Sequence, residues 1–147
     1  MNLFDFESYL NTLYQVSEFK DYCPKGLTVE GSHHVHRGIS GVSFGLDLLD
    51  VAIQRQVDFI IVHHLHGFWD NQSRIVRGSL KRKIEGLISN NISLFGYHLP
   101  MDAHPTLGNN IGAINAVGAK HTEGFIRQGN RDIGFIGEYD SPISIDE

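Results

Sequence analysis

The segment Val57 to Val62 (VDFIIV) constrains this chain more than any other. Apart from Asp58 it is apolar and rich in β-branched residues. That pattern suits a strand buried on both faces, and such strands belong to parallel sheets covered by helices. The neighbouring segments agree. Gly38 to Phe44 alternates small, apolar and polar residues and reads as a strand. Asp47 to Gln56 places Leu48, Leu49, Ala52 and Ile53 on one helical face. Ser79 to Ser89 does the same with Leu80, Ile84, Leu87 and Ile88, and Ser79 is the expected N-cap. Ile92 to Tyr97 (ISLFGY) is a second apolar strand. Leu107 to Val117 reads as a Gly-rich helical stretch, and Asp132 to Tyr139 as a last strand. At the start, Leu3, Phe6, Leu10 and Leu13 mark an amphipathic helix over Leu3 to Tyr14. Asp21 to Gly31 reads as loop with a short extended piece, Leu27 to Val29. Strand and helix alternate through the middle. The expected fold is therefore α/β, with a mostly parallel or mixed sheet flanked by helices. A length of 147 residues fits one domain, 1–147.

The chemistry gathers at two strand ends. Nine of the residues are histidines, and they cluster. His63 and His64 follow VDFIIV, while His98 and Asp102 follow ISLFGY. In an open α/β sheet, ligands bind outside the carboxyl ends of the strands. If the two strands are neighbours, the two clusters face each other. Imidazole suits zinc, iron, nickel or copper, and a carboxylate can bridge two ions. Adjacent residues of a regular strand point to opposite sides. His63 and His64 are therefore expected to clash as ligands of one ion in a strand, but to serve two ions from a loop. A His-His pair with a distant bridging Asp102 is a frame for a dinuclear centre. His33, His34, His36 and His121 read as surface residues. His66 and His104 are split between pocket lining and surface. Phe68 and Trp69 are either a pocket wall or core.

Other functions have less support. Lys and Arg total 12 against 17 Asp and Glu, a net charge of −5, which disfavours a phosphate-gripping nucleic-acid binder. A single cysteine, Cys23, makes no internal disulfide, and no His or helix start beside it argues for a nucleophile. The N-terminus carries Asp5 and Glu7 and no basic leader, and no apolar stretch is long enough to cross a bilayer. A cytoplasmic protein is expected. No P-loop is present, and no Gly-x-Gly-x-x-Gly follows a strand. Gly108 before Asn109 and Asn110 reads as a turn and helix cap in preference to a phosphate cradle.

Three segments resemble one family in order. CPKGLTVEG (Cys23 to Gly31) is similar to its PNGLQVEG-type signature. IIVHHLHGFW (Ile60 to Trp69) resembles its strand, His-His and Phe-Trp motif. LFGYHLPMDAHPTLGNN (Leu94 to Asn110) resembles its His-Leu-Pro-x-Asp-Ala-His-Pro segment. The family is the NGG-interacting-factor-three-like, or dinuclear-metal-centre, proteins, whose bacterial members are often labelled type 2 GTP cyclohydrolase I homologues. The resemblance implies a fold of two similar lobes, of which this chain is one, and a toroidal homo-hexamer with two divalent ions per site on the inner side of the ring. It implies His63 and His64 as metal ligands, Asp102 as the bridging carboxylate and His98 as a site histidine, either a ligand itself or a support behind one; as the catalytic residue, His98 is expected to shuttle protons. The family's remaining ligands come from a C-terminal His-x-x-x-Glu, and this sequence has none. The text after Asp140 reads as a linker, so the chain is expected to be a portion lacking the C-terminal region. The function implied is a metal-dependent hydrolase of a nucleotide or related phosphorylated small molecule. The competing reading is a non-enzymatic metal-binding scaffold or carrier ring.

Overall fold

A computed structural model describes residues 1–65, Phe68 and residues 75–144. These group into two compact units. The first comprises Met1–Val16 and Asp21–His98; the second comprises Ser17–Lys20 and the residues from Leu99 on.

The first unit is a four-stranded sheet flanked by helices. The strands are β1 (Gly26–Val29), β2 (Gly38–Ser43), β3 (Phe59–His64) and β4 (Ser93–Gly96), in the order β1-β4-β3-β2. β2, β3 and β4 run parallel, and β1 closes one edge antiparallel to β4. The mixed sheet is as expected. Period-two alternation divides the side chains between two faces. Ile60, Val62 and Leu94 point to one face, where α2 (Leu46–Gln54) and α3 (Gly78–Ser89) cover them with Leu49, Ala52 and Leu87. Phe59 and Phe95 point to the other, against Phe6 of α1 (Leu3–Leu13). α1 starts where Asn2 accepts hydrogen bonds from the Phe4 and Asp5 N–H groups, satisfying donors that no helical carbonyl reaches. Ser79 is not the cap of α3. That helix begins at Gly78 behind Arg77, which makes no side-chain cap, so the Ser79 hydroxyl comes too late in the first turn to serve as one.

The Val-Glu-Gly end of the first motif has a packing reason. Gly31 donates its N–H to the buried Ser93 Oγ at 3.0 Å. A Cβ on Gly31 would stand within 2.6 Å of backbone atoms of Ile92 and Ser93. Backbone cannot swing away as a side chain can. Gly31→Ala is therefore expected to destabilise the chain by about 1–3 kcal/mol, the usual cost of overpacking. Urea denaturation checks this, and an unchanged midpoint would reject the packing account.

The second unit carries α4 (Leu99–Asp102), α5 (Asn109–Ala116) and an antiparallel hairpin of β5 (Lys120–Gln128) and β6 (Arg131–Glu138). The last strand expected from sequence thus pairs in its own two-stranded sheet. Gly108 is the N-cap of α5, as the turn reading has it. Asn110 ties α5 to the hairpin by donating to the Ile133 carbonyl at 2.6 Å.

Candidate metal centre

β3 extends to His64, so His63 and His64 are its last two residues and not the start of a loop. The ladder reaches that far because β2 still offers partners. Ser43 pairs with His64, and the Phe44 N–H donates to the His64 carbonyl at 2.9 Å. On the other side Val62 pairs with Gly96. Two residues further on, His64 and His98 therefore stand level at the carboxyl edge of adjacent parallel strands.

Simple alternation would put His63 on the opposite face from these two. The rings meet nonetheless. The His63 and His64 centroids are 4.3 Å apart, and the His98 ring is 4.9 Å from the first and 5.5 Å from the second. One ligand nitrogen from each ring lies within 4.8 Å of the others. The two neighbouring rings, expected on opposite sides of a strand, thus come together at its end. At the last positions of a strand the side chains lean over the sheet's edge, where the alternation of the pleat no longer separates them.

Each ring has its Nδ1 engaged by the scaffold. His63 Nδ1 lies 3.2 Å from the Tyr97 carbonyl oxygen, His64 Nδ1 lies 3.3 Å from Ser43 Oγ, and His98 Nδ1 lies 3.1 Å from the Asp21 carboxylate. For His98 this leaves Nε2 as the nitrogen to present to an ion. Such partners on the far nitrogen are what fix metal-binding imidazoles in place. The donor set fits a borderline divalent ion. A second group, Asp21, Cys23 and His98, also brings one donor atom each within 4.8 Å of the others.

Asp102 closes α4 in the second unit, half-buried, and belongs to neither group. His104 accepts the Thr106 and Leu107 N–H groups through Nδ1, at 3.3 and 3.1 Å, so it organises a turn. Burial, and then the charge of Arg131, hold its pKa below the ordinary value. His33, His34, His36 and His121 are exposed. Phe68 is core, packed edge-on against Phe44 at 5.5 Å. His66 and Trp69 lie outside the described residues.

Sequence reasoning passes over three contributors: Asp21, Ser43 and Tyr97. Ser43 carries a readable signal, since Gly41-Val42-Ser43-Phe44-Gly45 is a Gly-x-Ser-x-Gly between a strand and a helix. In a nucleophile elbow the serine sits on a strained turn above the sheet. Here Ser43 is the last ladder residue of β2 and has no left-handed backbone, so its hydroxyl serves His64.

A family model for Duf34/NIF3 (NGG1p interacting factor 3) matches residues 1–147. The chain belongs to that family. A Vibrio cholerae relative named GTP cyclohydrolase 1 type 2 homolog is 36% identical over 147 residues, all of this chain and 58% of the relative. A Yersinia pestis relative of the same name is 44% identical over 106 residues, 72% of this chain and 42% of the relative. Among solved structures, a protein described as ybgI, of unknown function, aligns with a TM-score of 0.80 at 36% identity, over 84% of this chain and 50% of its own. TTHA1606 from Thermus thermophilus aligns with a TM-score of 0.75 at 30% identity, over 85% and 51%. The chain spans about half the length of the relatives it matches.

In this NIF3-family chain the strand end is anchored by Tyr97. Tyr97 is fully buried, donates its hydroxyl to Asn11 Oδ1 at 3.0 Å, and packs against Tyr14 at 4.8 Å. Burial, helped by the negative charge of Glu7, pushes the phenol well above its ordinary value of 10.0. Above that value the unfolded chain ionises Tyr97 and the native chain does not, so unfolding releases a proton. Stability is expected to be unaffected by this group below pH 10 and to fall as pH rises beyond it. Urea midpoints at about pH 9 and about pH 11, on either side of the free phenol's pKa, measure the fall. Tyr97→Phe should make it shallower.

Proposed function

We propose that this chain supplies the histidine part of a divalent-metal centre in a metal-dependent hydrolase acting on a nucleotide or a related phosphorylated small molecule. The supporting observation is the convergence of His63, His64 and His98 at the carboxyl edge of a parallel sheet, with every Nδ1 held by the scaffold. Zinc, iron, manganese and nickel all suit such donors. A bound ion supplies Lewis acidity at a phosphoryl or carbonyl oxygen. The chain's own residues do the remaining work. His63 and His64 bind and orient the ion. His98 binds beside them or moves a proton at Nε2. The resemblance of the His-Leu-Pro-x-Asp segment supports Asp102 as a carboxylate ligand in the assembled protein. The relatives' name, GTP cyclohydrolase 1 type 2 homolog, motivates the nucleotide substrate. The resemblance further suggests a cytoplasmic toroidal hexamer for the assembled protein.

The test is turnover. The protein is loaded with each divalent ion and incubated with GTP and other nucleoside triphosphates, and products are followed by mass spectrometry. Turnover that disappears in Asp102→Ala, with an unchanged circular dichroism spectrum, supports the hydrolase. Equal turnover in the variant rejects it. Bound ions with no turnover of any nucleotide favour the carrier or scaffold reading, which exposed Phe125 and Ile126 on β5 also suit as contact residues.

A further inference from the structure

We infer that Asp21 is a positioning residue that sets the tautomer of His98, and so decides that Nε2 of that ring carries the lone pair offered to the ion. In its second half this rests on the metal reading above. The Asp21 side chain is 0% exposed and the His98 side chain 14% exposed. His98 Nδ1 sits 3.2 and 3.1 Å from the two carboxylate oxygens. The Cys23 backbone N–H donates to Oδ1 of the same group at 3.2 Å. Tyr22 packs edge-on against the His98 ring at 5.3 Å.

Chemistry decides the direction of the contact. An ionised carboxylate only accepts, and a ring nitrogen facing it with a lone pair would be repelled. The ring must therefore donate, which places its proton on Nδ1. A neutral imidazole has one ring proton, so the lone pair falls on Nε2. His63 is set the same way by a carbonyl, which also only accepts. Ser43 differs, because a hydroxyl both donates and accepts, and it leaves His64 to either tautomer. Asp21 is thus the side chain through which a single substitution can reverse a ring of the cluster.

Two variants separate positioning from mere packing. In Asp21→Asn, the Cys23 N–H holds the amide oxygen at the Oδ1 position. The amide NH2 then takes the Oδ2 position and donates to His98 Nδ1. There it competes for Nδ1 with the amide oxygen, 3.2 Å away, and shifts the ring proton toward Nε2, where it blocks an ion. In Asp21→Ala the ring adopts either tautomer. Affinity for zinc, measured by chelator competition, is expected to fall about 10–100-fold in Asp21→Ala, as for loss of a partner behind a metal-binding histidine. It should fall further in Asp21→Asn. A purely structural role predicts the reverse order, because Asn nearly matches Asp in shape. Nitrogen-15 NMR of histidine-labelled, metal-free protein gives a readout that needs no ion: His98 should be protonated on Nδ1 in the parent and on Nε2 in Asp21→Asn. Cys23→Ser should leave tautomer and affinity unchanged. A parent ring protonated on Nε2, or tighter zinc binding by Asp21→Asn than by Asp21→Ala, overturns the inference. So does a Cys23→Ser loss equal to that of Asp21→Ala, which would make Asp21, Cys23 and His98 a site of their own. The expected tautomers with no zinc binding in any protein would leave the positioning role standing and defeat the metal reading alone.

Discussion

Replacing His64 with alanine is expected to weaken zinc binding by at least about 100-fold, more than the loss of a supporting partner usually costs. Without metal, the variant's stability should stay within about 0.5 kcal/mol of the parent's, the range for a substitution outside the core. The reason lies in where the ring sits. His64 is half-buried, and its scaffold contact is to Ser43, an exposed hydroxyl that water can satisfy. Its removal takes a ligand from the rim of the sheet and not from the core. His63 is the contrasting case. It is buried, and its Nδ1 lies against the Tyr97 carbonyl, so His63→Ala would also leave a buried acceptor unpaired. That variant should lose the ion and about 1–3 kcal/mol of stability together. Elemental mass spectrometry and metal-free urea melts, run on both variants, read the two effects separately. If His64→Ala retains its zinc, the three-ring cluster is not the centre.

The largest effect on stability is expected at Phe95. Its ring is 0% exposed and lies edge-on to Phe6 at 5.6 Å and to Phe59 at 6.4 Å. It joins α1 to the centre of the sheet. Phe95→Ala should cost about 3–5 kcal/mol through lost transfer energy and the cavity left behind. Against a total of roughly 5–15 kcal/mol for a natural domain, much of the population would unfold on modest warming. Calorimetry and urea denaturation check this. A loss under about 1 kcal/mol, well below the usual range for such a truncation, would mean that α1 closes over the gap. Because β4 leads directly into Tyr97 and His98, the variant should also bind zinc less tightly near its melting range.

The parts of this fold that sequence reveals are those whose burial is written in one-dimensional periodicity. β3 and β4 are apolar runs, and α2 and α3 have a clear inward stripe, so both kinds are legible. β5 is not. Its residues, KHTEGFIRQ, are mostly exposed, and the strand exists because β6 pairs with it. β1 reads as extended, but nothing in its four residues tells which edge it joins or in which direction. The cluster divides the same way. His63, His64 and His98 announce themselves by standing at strand ends. Asp21 is 77 residues from His98, and Ser43 is 21 from His64, so their roles appear only when the chain folds. Tyr97 contributes a backbone oxygen, which no residue type displays.

The parallel register carries one more consequence. His64 and His98 are level because Val62 is opposite Gly96, not because of anything between the strands. The number of residues between the two strands does not enter that register. A single deletion inside β4 behaves differently. It would pull His98 one position back along the ladder, out of level with His64 and away from Asp21. In evolution or in engineering, such a chain would keep every motif histidine and lose the constellation. The spacing that matters is therefore measured across the ladder and not along the chain.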